Sequence, residues 1–540
     1  MAADRPAESS TPSTTWKKPG AGTAAARTRL PCLTLCGHAE LGRIGERALL
    51  QGLLVRSTVA VSRVELDFAA PGAQHGRPLE DPYLSRTKLL LSGDPRRELT
   101  LRYERDDLRV DGEPCVGELT LGAGRLAQGV VLELAERVVL LLHLVDGTTP
   151  VETAELPGLS DGMEAVRREV ARIAALEVPV LIRGESGSGK ERVAQALHRQ
   201  GARAARPLVT VNMAAVASST AASVLFGHAR GAFTGAVNRH DGLFEQADHA
   251  TLFLDEIGET PDEVQPMLLR VLETGRFMPL GDHRERHVDV RVLAATDADL
   301  EQDAGSGRFR PALLHRLAGY ELWVPPLRER RDDIARLFVR FLREELTALG
   351  DGARLDATRA TDGEPFIPPS LIARLLRHLL HGNVRQLRNL VRRLALASVG
   401  RAQLVVDATA ERILDHDVSA TQPPPAGSTA PSQPAPSQPA SQRPPPRKPS
   451  DISDLELLAA LETNGWSPRR TAAALAIPTS TVHDLMRRCP SVRKAKDIED
   501  VELRQALVEA DGDLDRMAAA LRVSERALRI TLRERKLITG

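Results

Sequence analysis

The segment that most limits the possible folds of this chain is Gly184–Glu191, which reads Gly-Glu-Ser-Gly-Ser-Gly-Lys-Glu. It follows an apolar run that ends at Ile182 and precedes the amphipathic run Val193–His198. A glycine-rich turn between a strand and a helix can direct backbone N–H groups at phosphate oxygens, and the helix N-terminus adds a favourable dipole. We therefore predict a parallel α/β fold with a nucleotide phosphate-binding loop, in which Lys190 reaches the β- and γ-phosphates. The predicted nucleotide-binding residues of this loop are Gly184, Glu185, Ser186, Gly187, Ser188, Gly189, Lys190 and Glu191.

A second apolar run, Thr251-Leu-Phe-Leu, ends in two adjacent carboxylates, Asp255 and Glu256. In open α/β sheets, ligands bind beyond the carboxyl ends of the strands. We expect Asp255 to hold Mg²⁺, directly or through water, and Glu256 to orient and polarise the attacking water. The two motifs together predict ATP hydrolysis.

Three arginines are candidates for stabilising a transferred phosphoryl group. Arg310 and Arg316 follow the predicted strand 290–295, and Arg385 lies at the head of a predicted helix. An arginine aimed at the transition state raises the rate of phosphoryl transfer by ~10³–10⁵. Because arginine is abundant in this chain, the pattern alone gives only weak support to each of them.

Composition limits the class of protein. The chain has 540 residues, of which 42% are apolar, so several domains are expected and wholesale disorder is excluded. Lys plus Arg and Asp plus Glu both total 72, and this zero net charge argues against a uniformly basic nucleic-acid coat protein. Four scattered cysteines are too few for a disulfide framework, and no apolar run is long enough to span a bilayer. No secretory signal is visible, so a soluble cytoplasmic protein is predicted.

Changes in composition and periodicity predict the domain organisation. Residues 30–147 alternate apolar and polar side chains with period two, which indicates an all-β sandwich. Residues 418–450 contain eleven prolines and no acidic residue, as is typical of a solvated linker with polyproline character. The predicted segments are a disordered leader at 1–29, the β-sandwich at 30–147, an α/β ATPase core at 153–325, a helical lid at 326–405, the linker at 418–450 and an all-α tail at 451–540.

The tail is an internal repeat with an offset of 46 residues. Ala472-Ala-Ala-Leu in the first copy matches Ala518-Ala-Ala-Leu in the second, and each copy is predicted to form three helices. Basic side chains concentrate locally, since Arg469–Lys496 carries seven of them against Asp484 alone. Such a local concentration favours contact with nucleic acid, although the net charge of the chain is zero.

Residues 155–400 resemble the AAA+ domain of bacterial sigma-54-dependent activators, above all in the string Gly-Ala-Phe-Thr-Gly-Ala at 231–236. This hexapeptide is close to unique to that family, in which it forms a loop tip that contacts sigma-54 in the RNA polymerase closed complex. Small residues around a central Phe and Thr make a flexible, adhesive tip. The resemblance implies sigma-54 contacts at Gly231, Ala232, Phe233, Thr234, Gly235 and Ala236.

The same resemblance implies roles for residues of the ATPase site. The phosphate loop of the family also carries Glu after Lys, so Glu191 in place of the general motif's Ser or Thr is expected. Asn212 matches the family residue that restrains the catalytic glutamate, and Arg385 matches the second sensor arginine. Arg310 and Arg316 match fingers that act in trans on a neighbouring protomer, which implies a ring and, by resemblance, a hexamer.

The chain departs from the family pattern at a few positions. Leu380 and His381 stand in place of the usual Trp-Pro, and Val224 and Asp297 stand where the family usually has Glu and Asn. These substitutions affect the details of the nucleotide site and do not change the family that the chain resembles.

The β-rich region resembles a forkhead-associated domain, with less specific motifs. Arg63 stands at the family's Gly-Arg position, and Ser85 and Arg86 match its Ser-Arg core. Lys88 replaces the usual His, and Asp111-Gly112 stands near the usual Asn-Gly. The resemblance implies that Arg63, Ser85 and Arg86 hold a phosphothreonine through ion pairs and a hydrogen bond. The alternative is a β-sandwich that serves protein contact, and no phosphoacceptor receiver domain is evident.

The tail resembles the Fis-type helix-turn-helix of the same activators, in two copies where family members usually carry one. The glycine usual in the turn is replaced by Ala476 and Arg522. The alternative for each copy is a helical packing or dimerisation element. The candidates for DNA contact on the two recognition helices are Thr479, Ser480, Thr481, His483, Arg487, Arg526, Arg529 and Arg533.

These features predict a sigma-54-dependent transcriptional regulator that binds enhancer DNA and uses ATP and Mg²⁺ to remodel the sigma-54 RNA polymerase closed complex. Its further predicted partners are a phosphorylated protein or a kinase, bound by the β-sandwich, and copies of itself in a ring; no membrane is expected. Two alternatives stay open: a DNA-bound regulator whose ATPase serves assembly only, and an AAA+ remodeller of another client. Glu256, Arg310 and the hexapeptide argue against the first, and the hexapeptide and the tail argue against the second.

Overall fold

The structure is a computed structural model of the chain. It describes residues 29–55, 57–94, 98–147, 152–233, 236–357, 365–415 and 454–463, and single positions between 471 and 535. Contacts divide the chain into two compact units, Met1–Pro424 and Pro425–Gly540. Within the described residues, no helix is long and apolar enough to cross a bilayer.

The first unit begins with two antiparallel sheets. Their elements are β1 (Leu30–Gly37), β2 (Arg47–Leu49), β3 (Val59–Val61), β4 (Leu89–Asp94), β5 (Glu98–Tyr103), β6 (Leu108–Val110), β7 (Glu113–Pro114), β8 (Gly117–Gly122), α1 (Ala123–Gln128), β9 (Val130–Leu134) and β10 (Val138–Val145). One sheet has the order β2-β1-β10-β9-β6-β7 and the other β3-β4-β5-β8. Their facing sides share a core that includes Leu33, Leu91 and Leu140. The sheets agree with the predicted β-sandwich.

Two kinds of strand build this sandwich. In β5, Leu99, Leu101 and Tyr103 are buried while the side chains between them are more exposed, as expected for a strand with one solvated face. In β9 every residue is buried, and so is Val138–Leu142 of β10. Such strands need cover on both faces, so the outer face of the larger sheet lies against another part of the molecule.

A parallel sheet with surrounding helices follows. Its elements are α2 (Asp161–Ile173), β11 (Val180–Arg183), α3 (Lys190–Arg199), β12 (Leu208–Asn212), α4 (Ser218–Phe226), α5 (Leu243–Gln246), β13 (Thr251–Asp255), α6 (Gln265–Thr274), β14 (Arg276–Phe277), β15 (Arg286–His287), β16 (Arg291–Thr296), α7 (Leu300–Gly305), α8 (Pro311–Leu317) and β17 (Tyr320–Trp323). The sheet order is β12-β13-β16-β11-β17, and all neighbours are parallel. The predicted parallel α/β sheet is confirmed, and β17 extends it at an edge for which no strand was predicted.

The strand register gathers the polar strand ends at one edge of this sheet. Asn212 of β12 is paired with Asp255 of β13, and Arg183 of β11 with Thr296 of β16. Gly184–Glu191 starts directly after β11, so the loop lies at the same edge. This is where ligands bind in open α/β sheets.

A helical region follows the parallel sheet, as predicted. Its helices are α9 (Ile334–Ala348), α10 (Arg354–Ala357), α11 (Pro369–Arg377), α12 (Asn383–Ser398) and α13 (Ala408–Asp415). Their buried apolar faces pack in one cluster with side chains of the β-sandwich, namely Cys36, Ile44, Val131, Val139 and Leu141. The helical region therefore covers the outer face of β9 and β10.

In the second unit the described residues include the helix α14 (Asp454–Thr463). Buried positions recur with the 46-residue offset of the sequence repeat, in the pairs Leu457 and Leu503, Thr471 and Met517, Leu475 and Leu521, and Val482 and Leu528. Equivalent positions of the two sequence copies are therefore buried in the structure.

Candidate active site

The phosphate loop has the backbone that its glycines permit. Gly187 and Gly189 have φ values of +73° and +110°, which favour glycine, and α3 begins directly after the loop at Lys190. A Cβ atom on Gly187 would lie 2.5 Å from the carbonyl oxygen of Gly382, and Val384 N donates to Gly187 O at 3.0 Å. The segment around Gly382 therefore sits directly against the loop.

Lys190 and Ser188 supply polar groups inside the loop. The Lys190 side chain is buried, and its Nζ donates to Gly184 O at 2.9 Å. Lys190 Nζ is also 3.9 Å from Glu256 Oε1. Ser188 is buried, and its hydroxyl has no hydrogen-bond partner among the described residues. A buried ammonium and an unpaired buried hydroxyl in a glycine-rich loop suit a phosphate group.

The two carboxylates at the end of β13 lie beside this loop. Asn212 Nδ2 donates to Asp255 Oδ2 at 3.3 Å, so the amide contacts the first of the two. Glu256 has φ +51°, a left-handed conformation that is unusual for a residue other than glycine. Burial raises the pKa of the Glu256 carboxyl, Lys190 opposes that rise, and the charges of Asp297 and Asp255 add to it. A raised pKa strengthens a carboxylate as a base.

Residues from the helical region close over the loop, and only one of them was predicted. Arg385 Nη1 donates to Ser186 Oγ at 3.1 Å, as expected for a predicted nucleotide ligand. Asn383 Nδ2 donates to Glu185 Oε2 at 3.1 Å and to Ser186 O at 3.0 Å.

Two arginines before α9 complete this cover. Arg328 pairs with both carboxylate oxygens of Glu185, with Nη1 2.7 Å from Oε2. Arg330 is buried, and its Nη2 donates to Ser188 O at 2.7 Å. Sequence reasoning missed Asn383, Arg328 and Arg330 as site residues. The available signal was the density of polar residues in Pro325–Arg330 and beside Arg385.

The other predicted site residues lie at the surface. Arg310 precedes α8 and is exposed, and Arg316 is exposed with its Nε donating to Leu272 O at 2.9 Å. Among the described residues, neither guanidinium contacts the phosphate loop of its own chain. Glu191 is exposed on α3, where its carboxylate accepts from Gln195 Nε2 at 3.2 Å.

The described residues of the hexapeptide, Gly231–Phe233 and Ala236, lie beyond α4, where Phe233 is exposed and Ala236 is buried. Gly231 N donates to Ala236 O at 2.8 Å, and Ala236 N donates to Phe233 O at 3.0 Å. The Phe233 side chain is 49% exposed, and the ring of His228 lies edge-on to it at 4.9 Å. Thr234 and Gly235 lie outside the described residues. An apolar ring is thus presented to solvent on a short turn of the same domain that carries the nucleotide site.

Residues 156–323, which hold both the phosphate loop and this turn, match the family profile described as "Sigma-54 interaction domain". The matched segment spans about a third of the chain. Domains of this kind are AAA+ ATPases, which confirms the predicted enzyme class.

The chain is also similar to curated transcription regulators. The chain is 41% identical over 313 residues to "Anaerobic nitric oxide reductase transcription regulator NorR" of Escherichia coli (strain SMS-3-5 / SECEC), covering 58% of this chain and 59% of that protein. It is 45% identical over 259 residues to "DNA-binding transcriptional regulator NtrC" of Escherichia coli (strain K12), covering 48% of this chain and 53% of that protein. The chain thus spans between one half and three fifths of these curated relatives.

Among solved structures, NtrX from Brucella abortus in complex with ATP has a TM-score of 0.43 to this chain and 28% sequence identity. The match covers 63% of this chain and 70% of that one.

Outside the matched segment, the predicted phosphopeptide residues all lie in the connection between β3 and β4 of the β-sandwich. Arg63 Nη1 donates to Pro82 O at 3.2 Å, and Glu80 N donates to Arg63 O at 2.9 Å. Ser85 Oγ donates to Thr87 Oγ1 at 2.9 Å, and Arg86 is exposed. The start of this connection, at Arg63, therefore lies against its later part at residues 80–82, a few residues before Ser85 and Arg86.

The predicted DNA contacts of the tail, Thr479, Ser480, Thr481, His483, Arg487, Arg526, Arg529 and Arg533, lie outside the described residues.

Proposed function

We propose that this chain is a sigma-54-dependent transcriptional activator, which hydrolyses ATP to remodel the sigma-54 RNA polymerase closed complex. The observation that carries the proposal is the combination, within residues 156–323, of a nucleotide site and the exposed Phe233 turn. NorR and NtrC are transcription regulators by name and share this part of the chain. Enhancer DNA would be bound by the tail, and such a protein acts in the cytoplasm.

The nucleotide would be held by the phosphate loop and by the helical region above it. The buried Lys190 ammonium and the unpaired Ser188 hydroxyl would face phosphate oxygens, and Arg385 would add a positive charge from α12. The oxygens of Asp255 fit Mg²⁺, which is bound by one or two carboxylates together with substrate phosphates. Bound Mg²⁺ would neutralise charge on the phosphates.

Glu256 would act on the attacking water. Its carboxylate lies 3.9 Å from the ammonium of Lys190, so it borders the place where the terminal phosphate would lie. Burial raises the pKa of Glu256, which favours acceptance of a proton from a bound water. Exposed Arg310 and Arg316 would serve a neighbouring copy, which requires a ring, hexameric by family resemblance.

The β-sandwich would provide the regulatory input as a forkhead-associated domain that binds phosphothreonine. The proposal is supported by the contacts of Arg63 with residues 80–82, which precede Ser85-Arg86 in the same β3–β4 connection. Calorimetry with a phosphothreonine peptide should show binding by the wild-type chain and loss of binding by Arg63→Ala. Absence of binding by the wild type would leave the β-sandwich as a protein-contact domain.

The central test separates hydrolysis from remodelling. Thr234→Ala should retain ATPase activity but abolish open-complex formation with sigma-54 RNA polymerase, because the adhesive tip is altered while the nucleotide site is intact. Lys190→Ala should lose nucleotide binding, and Glu256→Gln should bind nucleotide without hydrolysis. Val237→Ala is a matched control, since Val237 is 71% exposed just outside the hexapeptide.

Open-complex formation by Thr234→Ala at the wild-type level would contradict the proposal and favour a remodeller of another client. Normal turnover by both Lys190→Ala and Glu256→Gln would contradict the nucleotide site itself.

A further inference from the structure

Residues 327–333, here called the junction segment, lie between the phosphate loop and the β-sandwich. The segment consists of two short 3-10 turns, Leu327–Glu329 and Arg331–Asp333, and leads directly into α9. Its side chains Leu327, Arg330, Asp332 and Asp333 are buried.

Toward the nucleotide site, the junction segment holds the phosphate loop at two places. Arg328 pairs with Glu185, and Arg330 Nη2 donates to the carbonyl oxygen of Ser188 at 2.7 Å. A carbonyl that is held outward leaves the N–H groups of the loop directed inward, where phosphate oxygens would bind.

Toward the β-sandwich, the junction segment uses its next two residues. Arg331 Nη1 donates to Gln128 O at 2.8 Å and to Gly129 O at 2.7 Å. Asp332 Oδ2 accepts from Nη2 of Arg47, the first residue of β2, at 2.6 Å, and Arg47 is 10% exposed. Each face of the segment therefore contacts a different partner, with Arg330 and Asp332 two residues apart.

The contact with the β-sandwich places a positive charge beside buried Asp332. Burial raises the pKa of Asp332, and Arg47 is the strongest of the groups that oppose this rise, ahead of Arg330. The neighbouring Asp333 is already occupied by Ser160, whose Oγ donates to Asp333 Oδ2 at 2.6 Å. Without Arg47, buried Asp332 would share Arg330 with Asp333, which acts more strongly than Asp332 on the pKa of that arginine.

The Nε of buried Arg330 has no hydrogen-bond partner among the described residues, so the guanidinium has a donor left for a further acceptor. A buried carboxylate without its partner draws the nearest buried cation toward itself because an unpaired buried charge is costly. That movement would take the guanidinium of Arg330 away from Ser188 O.

We propose that Arg47 is a positioning residue for nucleotide binding: through Asp332 and Arg330 it holds the phosphate loop in its binding shape, so that docking of the β-sandwich sets the affinity for ATP. The inference rests on the ATPase site and is independent of what the ATPase remodels. A ligand of the β-sandwich that moves β2 would then change the nucleotide affinity without touching the nucleotide site.

The test compares the wild-type chain with Arg47→Met, which keeps the length of the side chain and removes its charge. We expect Arg47→Met to raise the KM for ATP and the Kd for a fluorescent ADP analogue about tenfold, with kcat within about twofold of wild type. Arg102→Met is the matched control, since Arg102 on β5 is 62% exposed and pairs with Glu104. The control should bind and hydrolyse like wild type.

A second variant distinguishes positioning from damage to the fold. Asp332→Asn added to Arg47→Met removes both charges, so Arg330 should return to Ser188 and KM should fall back toward the wild-type value. Unchanged KM and Kd in Arg47→Met, or a double variant that binds no better than Arg47→Met, would overturn the inference. Failure of the wild-type chain to bind the ADP analogue would instead contradict the nucleotide site.

Discussion

At the scale of single residues, the active site is tuned by a charge that the family resemblance does not supply. Asp297 stands where an asparagine is usual, and its charge adds to the burial that raises the pKa of Glu256. Its own backbone N–H partly offsets the effect by donating to Glu256. The pKa of Glu256 is therefore raised first by burial and then adjusted by the charges of its neighbours.

Asp297→Asn should shift the acidic limb of the pH profile of kcat to lower pH. Removal of one negative charge lowers the pKa of Glu256, so its carboxylate stays deprotonated, and able to accept a proton, at a pH where the wild type is protonated. The profile is measured with saturating ATP between pH 5 and 8. The exposed Glu263→Gln is the control, and a limb that moves equally in both variants would contradict this explanation.

Local motifs made part of this site predictable from the sequence. Gly184–Glu191 and Asp255-Glu256 are contiguous, and their geometry follows from strand, turn and helix. Arg330 and Asn383 could not be predicted in this way, because each reaches the loop across about 140 to 200 intervening residues. Their roles depend on how the helical region packs, which no local pattern encodes.

At the scale of elements, β9 and Val138–Leu142 of β10 are buried without interruption, which indicates that other parts of the molecule cover both of their faces. Val131, Val139 and Leu141 face the helical region, while Leu132, Leu140 and Leu142 face the other sheet. The period-two pattern of residues 30–147 predicts strands with one solvated face, whereas every residue of β9 is buried. The pattern therefore predicted the strands and left their partner open.

Leu140→Ala and Leu141→Ala should both destabilise the chain, by about 2–4 kcal/mol each, but in different elements. Leu140→Ala should lose amide protection in the β-sandwich, whereas Leu141→Ala should lose it first in α11, which packs on β9 and β10. Hydrogen–deuterium exchange resolved by peptide distinguishes the two. Identical exchange maps would show that the two leucines do not face separate cores.

At the scale of the whole molecule, hydrolysis should require neighbouring copies. Arg310 is exposed and, among the described residues, does not reach the phosphate loop of its own chain. In a ring, each active site would then combine the loop of one copy with the arginine of the next.

Arg310→Ala and Lys190→Ala chains, each inactive alone, should regain ATPase activity when mixed. A Lys190→Ala subunit would supply Arg310 to the intact phosphate loop of a neighbouring Arg310→Ala subunit. With random 1:1 mixing in a ring, about a quarter of the sites would contain both the intact loop and the arginine. The mixture is assayed after co-refolding or prolonged exchange of subunits. Activity of Arg310→Ala alone at the wild-type level would contradict a role in trans.

The contact between the larger β-sheet and the helical region also bears on how such proteins diversify. A β-sandwich cut away after residue 147 would expose Ile44, Val131, Val139 and Leu141 as an apolar patch, so it should self-associate in isolation. Recombination of genes that exchanged this domain alone would place a mismatched surface against α9 and α11. The β-sandwich and the helical region are therefore expected to have been inherited together, as one evolutionary unit.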